Sequence, residues 1–171
     1  MGIARLIVKH IMRLRNTLTR RYRMICWKWQ YGAQFQAKKF HFRDNFRIYI
    51  EEQGILQIGK NVFFNNGCSL TVREKVSIGD DCIFGENVKI YDHNHCYKDN
   101  DKLIRLQGFS SGEVTIGEDC WIGSNVVILK GVTIGAHSVV GGGVIVHKDL
   151  PEHSVTICKQ ECYTTYIHGR E

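Results

Sequence analysis

From Ile116 onward an aliphatic residue stands at every sixth position: Ile116, Ile122, Ile128, Ile134, Val140 and Val146. Four places after each of the first five comes a small or β-branched residue: Cys120, Val126, Val132, Ser138 and Val144. The register occurs earlier as Ile58, Phe64 and Leu70, with Val62 and Cys68 between, and as Ile78, Phe84 and Ile90, with Cys82 and Val88. Helix faces repeat near 3.6 residues and strands near 2. A period of six fits neither alone. It fits a short strand that alternates, turns a corner and starts again. The aliphatic position points inward, and a glycine after it, as at Gly59, Gly79, Gly117 and Gly135, relieves the corner. Three such units close a triangular coil. Successive coils stack about 4.8 Å apart in a quasi-one-dimensional solenoid.

The register breaks once. Ile90 to Ile116 is not a multiple of six, and "YDHNHCYKDNDKLIRLQGFSSGE" between them is polar and charged. Residues 91–113 are predicted to form a loop thrown out from the solenoid. Insertions of this kind collect on one face, often the binding face. Asp92, His93, His95 and Cys96 stand where the rigid coil gives way to the loop, a favourable place for chemistry. His93 and His95 project to the same side if the segment stays extended. A metal site and a general base both use such residues.

The stretch "IGEDCWIGSNVVILKGVTIGAHSVVGGGVIVHKDLP" resembles the hexapeptide-repeat acyltransferases. The likeness runs over about residues 55–151 and is greatest to the C-terminal coils of galactoside, maltose and polysaccharide O-acetyltransferases. It implies a left-handed parallel β-helix, acetyl-CoA as co-substrate, no resident metal, and a homotrimer with sites between subunits. Zinc-binding carbonic anhydrases share this fold but use a histidine pair five residues apart on a later coil. His137, His147 and His153 are spaced by ten and six.

The resemblance also assigns roles. His93 matches the catalytic base, with His95 as the alternative; imidazole suits the task because its ordinary pKa lies near neutrality. Trp121 matches a tryptophan beside the active site, where it either assists catalysis or packs against the loop. Asn65, with Asn66 next to it, matches an acceptor-contacting asparagine, and Asp92 joins this acceptor group. Ser124, Gly142, His147 and Lys148 match positions along the coenzyme, with Lys148 suited to meet a phosphate as a point charge. An acidic residue that relatives use for the acceptor is replaced here by "VREK". The triple glycine at 141–143 lets a ligand approach the backbone, but no GK[ST] follows, so it is no P-loop.

Charge adds an arm to this picture. Residues 1–50 carry 12 Lys/Arg and one acid, Asp44, whereas residues 51–171 carry 11 Lys/Arg and 16 acids. Ile3, Leu6, Ile7, Ile11, Leu14 and Leu18 alternate at helical spacing with Arg5, Lys9, Arg13 and Arg15. They predict a basic amphipathic helix. Two readings stand open: the helix caps the solenoid's open end, or residues 1–20 lie on an anionic membrane surface. The basic-aromatic run that follows is read as packing plus solvated charge rather than a nucleic-acid surface. No apolar run reaches the roughly 18 residues of a membrane span, and no small-residue cleavage pattern follows the first apolar run. Seven cysteines without a CxxC pair suit a reducing compartment. The expected location is the cytoplasm, peripheral to the membrane if the helix binds it.

The sequence thus divides into a basic N-terminal segment (1–50), a β-helical catalytic domain (51–151) and a tail (152–171). The resemblance implies an O-acetyltransferase acting on a sugar hydroxyl, and with the basic N-terminus an expected glycan acceptor of bacterial surface polysaccharide synthesis, lipid-linked or nucleotide-linked. A small soluble acceptor, or a scaffold without activity, are the alternatives.

Overall fold

The computed structural model describes residues 2–51 and 53–159. Helix α1 (Ile3–Tyr31) leads through a short 3-10 turn into a parallel β-helix. The first coil is β1 (Phe35–Ala37), β2 (His41–Phe42) and β3 (Arg47–Ile50). The second is β4 (Ile55–Ile58), β5 (Phe63–Phe64) and β6 (Ser69–Val72); the third is β7 (Lys75–Ile78), β8 (Ile83–Phe84) and β9 (Lys89–Tyr91). An antiparallel arm follows, β10 (His93–His95) against β11 (Phe109–Ser111). The solenoid resumes with β12 (Val114–Ile116), β13 (Trp121–Ile122) and β14 (Val127–Ile128), then β15 (Thr133–Ile134), β16 (Val139–Val140) and β17 (Ile145–Val146). A sixth, partial coil is bridged at Leu150 and ends in β18 (Val155–Thr156).

Stacking gives three flat faces. The first is β1-β4-β7-β12-β15, the second β2-β5-β8-β13-β16-β18, and the third β3-β6-β9-β14-β17. The six-residue register is the register of the structure: Phe64 pairs with Phe84, Ile122 with Val140, and Ile128 with Val146. These side chains point inward and are fully or almost fully buried. The corners between first and second faces form a column of left-handed residues, Asn61, Asp81, Asp119, His137 and His153. Asn, Asp and His are the non-glycine residues that tolerate this conformation best.

The β-helix begins earlier than expected. Phe35–Ile50, assigned by the sequence reading to the N-terminal segment, forms a complete coil. Ile48 and Ile50 point inward like the aliphatic residues of later coils, but Phe40, Phe42 and Phe46 fill the other inward positions with aromatic rings, and no glycine follows Ala37 or Phe42. Ala37 and Phe42, aligned with Ile58 and Phe64, are one residue short of the six-residue step. The β-helix also continues past 151 into what was read as tail; residues 160–171 lie outside the described residues.

Helix α1 covers the open end of the first coil, but through its last turns. Trp27 and Tyr31 are buried with Phe35, Phe42 and Phe46. The Trp27 ring lies 5.2 Å from Phe42 and 5.7 Å from Phe46. Arg23 lies 4.6 Å over Trp27 and donates to the Phe46 carbonyl. The apolar residues from Leu6 to Leu18 stay exposed. Capping is therefore the work of residues 23–31, not of the stretch that carried the helical signal. No described helix is long and apolar enough to cross a membrane.

Candidate active site

Asp92 follows β9, at the corner between the third and first faces where the arm departs. Its side chain turns inward and is fully buried. Its carboxylate accepts the backbone N–H of Arg73 at 2.9 Å and of Glu74 at 2.7 Å, both from the corner of the coil before. It also meets His93 Nδ1 at 2.8 Å. A carboxylate only accepts hydrogen bonds, so Nδ1 carries the proton and Nε2 presents its lone pair. The turn that ends the coil thus fixes both the tautomer and the orientation of the ring.

The His93 side chain is only 11% exposed. Among the described residues, Nε2 has Glu51 Oε1 at 3.8 Å, beyond hydrogen-bond reach. Glu51, at the end of the first coil, is ion-paired with Arg73. The Arg73 guanidinium lies 3.9 Å over the ring of Phe109, which descends from the arm. Phe109 in turn stands edge-on to His93 at 5.3 Å and tilted against His95 at 4.4 Å. One aromatic ring thereby joins both histidines. His93 is the half-buried one with a carboxylate behind it; His95 is exposed. Beside them opens a cavity of about 1140 Å³ lined by Gln30, Tyr31, Tyr49, Glu51, Arg73 and Phe109, among others.

The remaining predicted residues lie elsewhere on the chain. Asn65 and Asn66 sit at the corner between the second and third faces, where Asn65 Oδ1 accepts from Arg43 at 3.3 Å and Asn66 is 3.3 Å from Glu86. Ser124 and Gly142 occupy the same corner two and three coils on. Ser124 Oγ accepts the Glu86 N–H at 3.1 Å, and a Cβ built on Gly142 would come within 3.1 Å of the Ser124 carbonyl oxygen. Trp121 points outward from the second face between Ile83 and Val139 and is 57% exposed. His147 and Lys148 are exposed after β17, beside a cavity of about 530 Å³ with Ile157 and Cys158. A single chain brings Asp92, His93 and His95 together; it does not bring them to Trp121, Asn65 or the coenzyme positions.

Glu51, Arg73 and Phe109 escaped the sequence reading. "VREK" was read as the loss of an acceptor contact, yet its backbone holds Asp92 and its arginine holds Glu51. The available signal was its place: Arg73 and Glu74 follow β6 at the corner one coil before the excursion in the stack. Among the described residues no group of three His, Cys, Asp or Glu is arranged to hold a metal ion.

Residues 113–148 match the family model described as bacterial transferase hexapeptide (six repeats). The chain is 36% identical over 108 residues to a galactoside O-acetyltransferase of Escherichia coli, covering 63% of this chain and 52% of that protein. The structure is similar to a hexapeptide-repeat acetyltransferase of Vibrio cholerae solved with acetyl coenzyme A: TM-score 0.63, 27% identity, 73% of this chain and 66% of the other. It is likewise similar to a maltose O-acetyltransferase of Clostridium difficile: TM-score 0.61, 30% identity, 73% of this chain and 65% of the other. The chain spans about half the length of the first curated relatives it matches. Residues 113–148 thus carry the hexapeptide repeat, and the chain is similar over its β-helix to hexapeptide-repeat acetyltransferases.

Proposed function

We propose that this hexapeptide-repeat chain transfers an acetyl group from acetyl-CoA to a sugar hydroxyl, with His93 as the base. The observation that carries this reading is the buried Asp92 carboxylate on His93 Nδ1 at 2.8 Å. It leaves Nε2 as an oriented proton acceptor, the arrangement general-base catalysis needs. Similar proteins named for galactoside and maltose O-acetylation support the acceptor class.

Acetyl-CoA supplies an activated thioester. His93 Nε2 takes the hydroxyl proton as the new C–O bond forms, and returns it to the departing sulfur as the C–S bond breaks. In between, Asp92 and Glu51 flank the ring on its two nitrogens and balance its positive charge. Arg73 keeps Glu51 in place. Phe109 covers the ring and limits water.

Asp92 and His93 occupy one corner of the prism, and Asn65, Asn66, Ser124 and Gly142 another. A site shared between neighbouring copies reconciles them. The second face carries an outward column suited to such packing, Phe63, Ile83, Trp121, Val139 and Val155, all apolar. Ile83, Trp121 and Val155 are each at least half exposed, and an exposed apolar column of this kind marks a contact surface. Three copies around a common axis are proposed, with Ser124 and Gly142 of one copy facing the His93 corner of the next. The proposed acceptor is a glycan of surface polysaccharide assembly, in keeping with the basic helix.

The test is release of free coenzyme A thiol, followed with a panel of soluble sugars and polyprenyl-linked glycans. The wild type is expected to release thiol only with an acceptor present, and His93→Ala to lose the activity. Undiminished turnover by His93→Ala, with His95→Ala inactive, transfers the base to His95. No acceptor-dependent release from any sugar overturns the transferase reading.

A further inference from the structure

Helix α1 has two opposed faces. Asn16, Arg20, Arg23, Trp27 and Tyr31 are buried or half-buried and look toward the first coil. Ile7, Ile11, Leu14, Leu18, Ile25 and Trp29 run along the other side, and each is more than half exposed, Trp29 90%. At 100° per residue the two sets are centred roughly opposite one another. Ile7, Leu18 and Trp29 are separated by steps of eleven. Eleven residues make just over three whole turns, so the apolar stripe runs nearly straight along the helix for about 33 Å. A straight stripe suits a flat surface.

The charges select the surface. Residues 3–31 contain eight Lys/Arg and no acid. Arg15, Arg21 and Lys28 are exposed and stand three or four residues from stripe positions, so they flank the stripe on both sides. Cations on long stems beside an apolar stripe reach lipid headgroups while the stripe enters the acyl boundary. Packing the stripe against a second copy would bring eight cations to eight with no acid on either helix.

We propose that the outer face of α1 docks on an anionic lipid surface. Since the inner face caps the first coil, the β-helix then stands with that end toward the lipid. Gln30 and Tyr31, at the end of the same helix, line the cavity beside His93. Docking therefore sets that cavity near the headgroups, where a lipid-linked acceptor is presented. The docking stands on the helix alone; only this last consequence rests on the proposed transferase activity.

The full chain is to be sedimented with phosphatidylcholine vesicles, with and without phosphatidylglycerol. Binding is expected only to the anionic vesicles, weakening with salt. Leu14→Glu/Leu18→Glu and Arg15→Glu/Arg21→Glu should each weaken it about tenfold or more, with unchanged thermal unfolding. Sedimentation of these variants equal to wild type overturns the proposal. So does a fall in oligomer size of the Leu14→Glu/Leu18→Glu chain in light scattering without vesicles, which assigns the stripe to a second copy. Coenzyme A release with a soluble sugar, measured on the same proteins, separates the two readings. A chain that binds vesicles and transfers nothing overturns the transferase reading alone. One that transfers acetyl and ignores vesicles overturns the docking alone.

Discussion

Asp92 and His93 are adjacent in sequence, yet the acid is buried in the solenoid and the ring lies against Phe109 and Glu51. Between them lies one hydrogen bond of 2.8 Å. The acid is also the acceptor for two backbone N–H groups of the preceding coil. The pair therefore ties the chemistry to the stacking of the solenoid. Asp92→Asn keeps the size but brings an NH2 group against donors that need an acceptor. It should lower stability by about 1–3 kcal/mol and kcat on the order of 10²-fold, since the tautomer is no longer fixed. KM for the sugar should change little. Chemical denaturation and steady-state kinetics measure both; unchanged kcat would remove Asp92 from the positioning role.

Phe64 sits between Phe46 and Phe84, at ring distances of 4.6 and 4.5 Å. Three coils are joined by this stack, and all three rings are fully buried. Phe64→Ala leaves a cavity that the flat coils cannot close. A loss of about 3–5 kcal/mol is expected, read from the denaturation midpoint. A loss below that range would show that the coils collapse onto the gap.

Gly117 faces the next coil so closely that a Cβ would lie 2.5 Å from Ala136 N and 2.7 Å from its Cα. The obstacle is backbone, which cannot rotate away. Gly117→Ala should cost about 1–3 kcal/mol by forcing the coils apart. Gly2→Ala meets open space and serves as the neutral control in the same thermal unfolding series.

His137 occupies the left-handed corner column and lies 3.1 Å from Asp119 through Nδ1. Asp119, then Glu118, hold its pKa above the ordinary histidine value, against a smaller opposing effect of burial. The folded state thus favours the imidazolium. Its contribution is complete below the ordinary value and is lost as pH rises through the raised one. An NMR titration should find His137 raised in the wild type and returned toward 6.5, the reference value, in Asp119→Asn. Identical titration curves in the two proteins would remove Asp119 as the cause.

Much of the solenoid was legible because each six-residue unit repeats the same local solution, so the signal accumulates from Ile58 to Val146. The first coil carried no such signal. It lies against the helix cap, and the wider space there is filled by Phe40, Phe42 and Phe46 in place of aliphatic residues. The cap itself depends on Trp27 and Tyr31, whose burial is decided by what they meet, not by the helical pattern around them. In the site, Asp92 and His93 were visible because they stand at the break in period. Glu51, Arg73 and Phe109 were not, since they come from three separate segments that only stacking brings together.

The neck of the arm is closed by the Gly112 N–H on the Asp92 carbonyl at 2.8 Å, and Gly112 is tied to the next coil by the Gly131 N–H on its own carbonyl at 3.0 Å. Across this gap β7 pairs with β12, β8 with β13 and β9 with β14, as if nothing had been inserted. The scaffold has already brought the ends of the insert together, so a longer or shorter insert changes folding free energy only slightly. Such a neck is a socket for evolution: inserts of different length and composition can be exchanged beyond the His93–Ser111 pair, diversifying which molecule is received while the scaffold keeps its hold on Asp92.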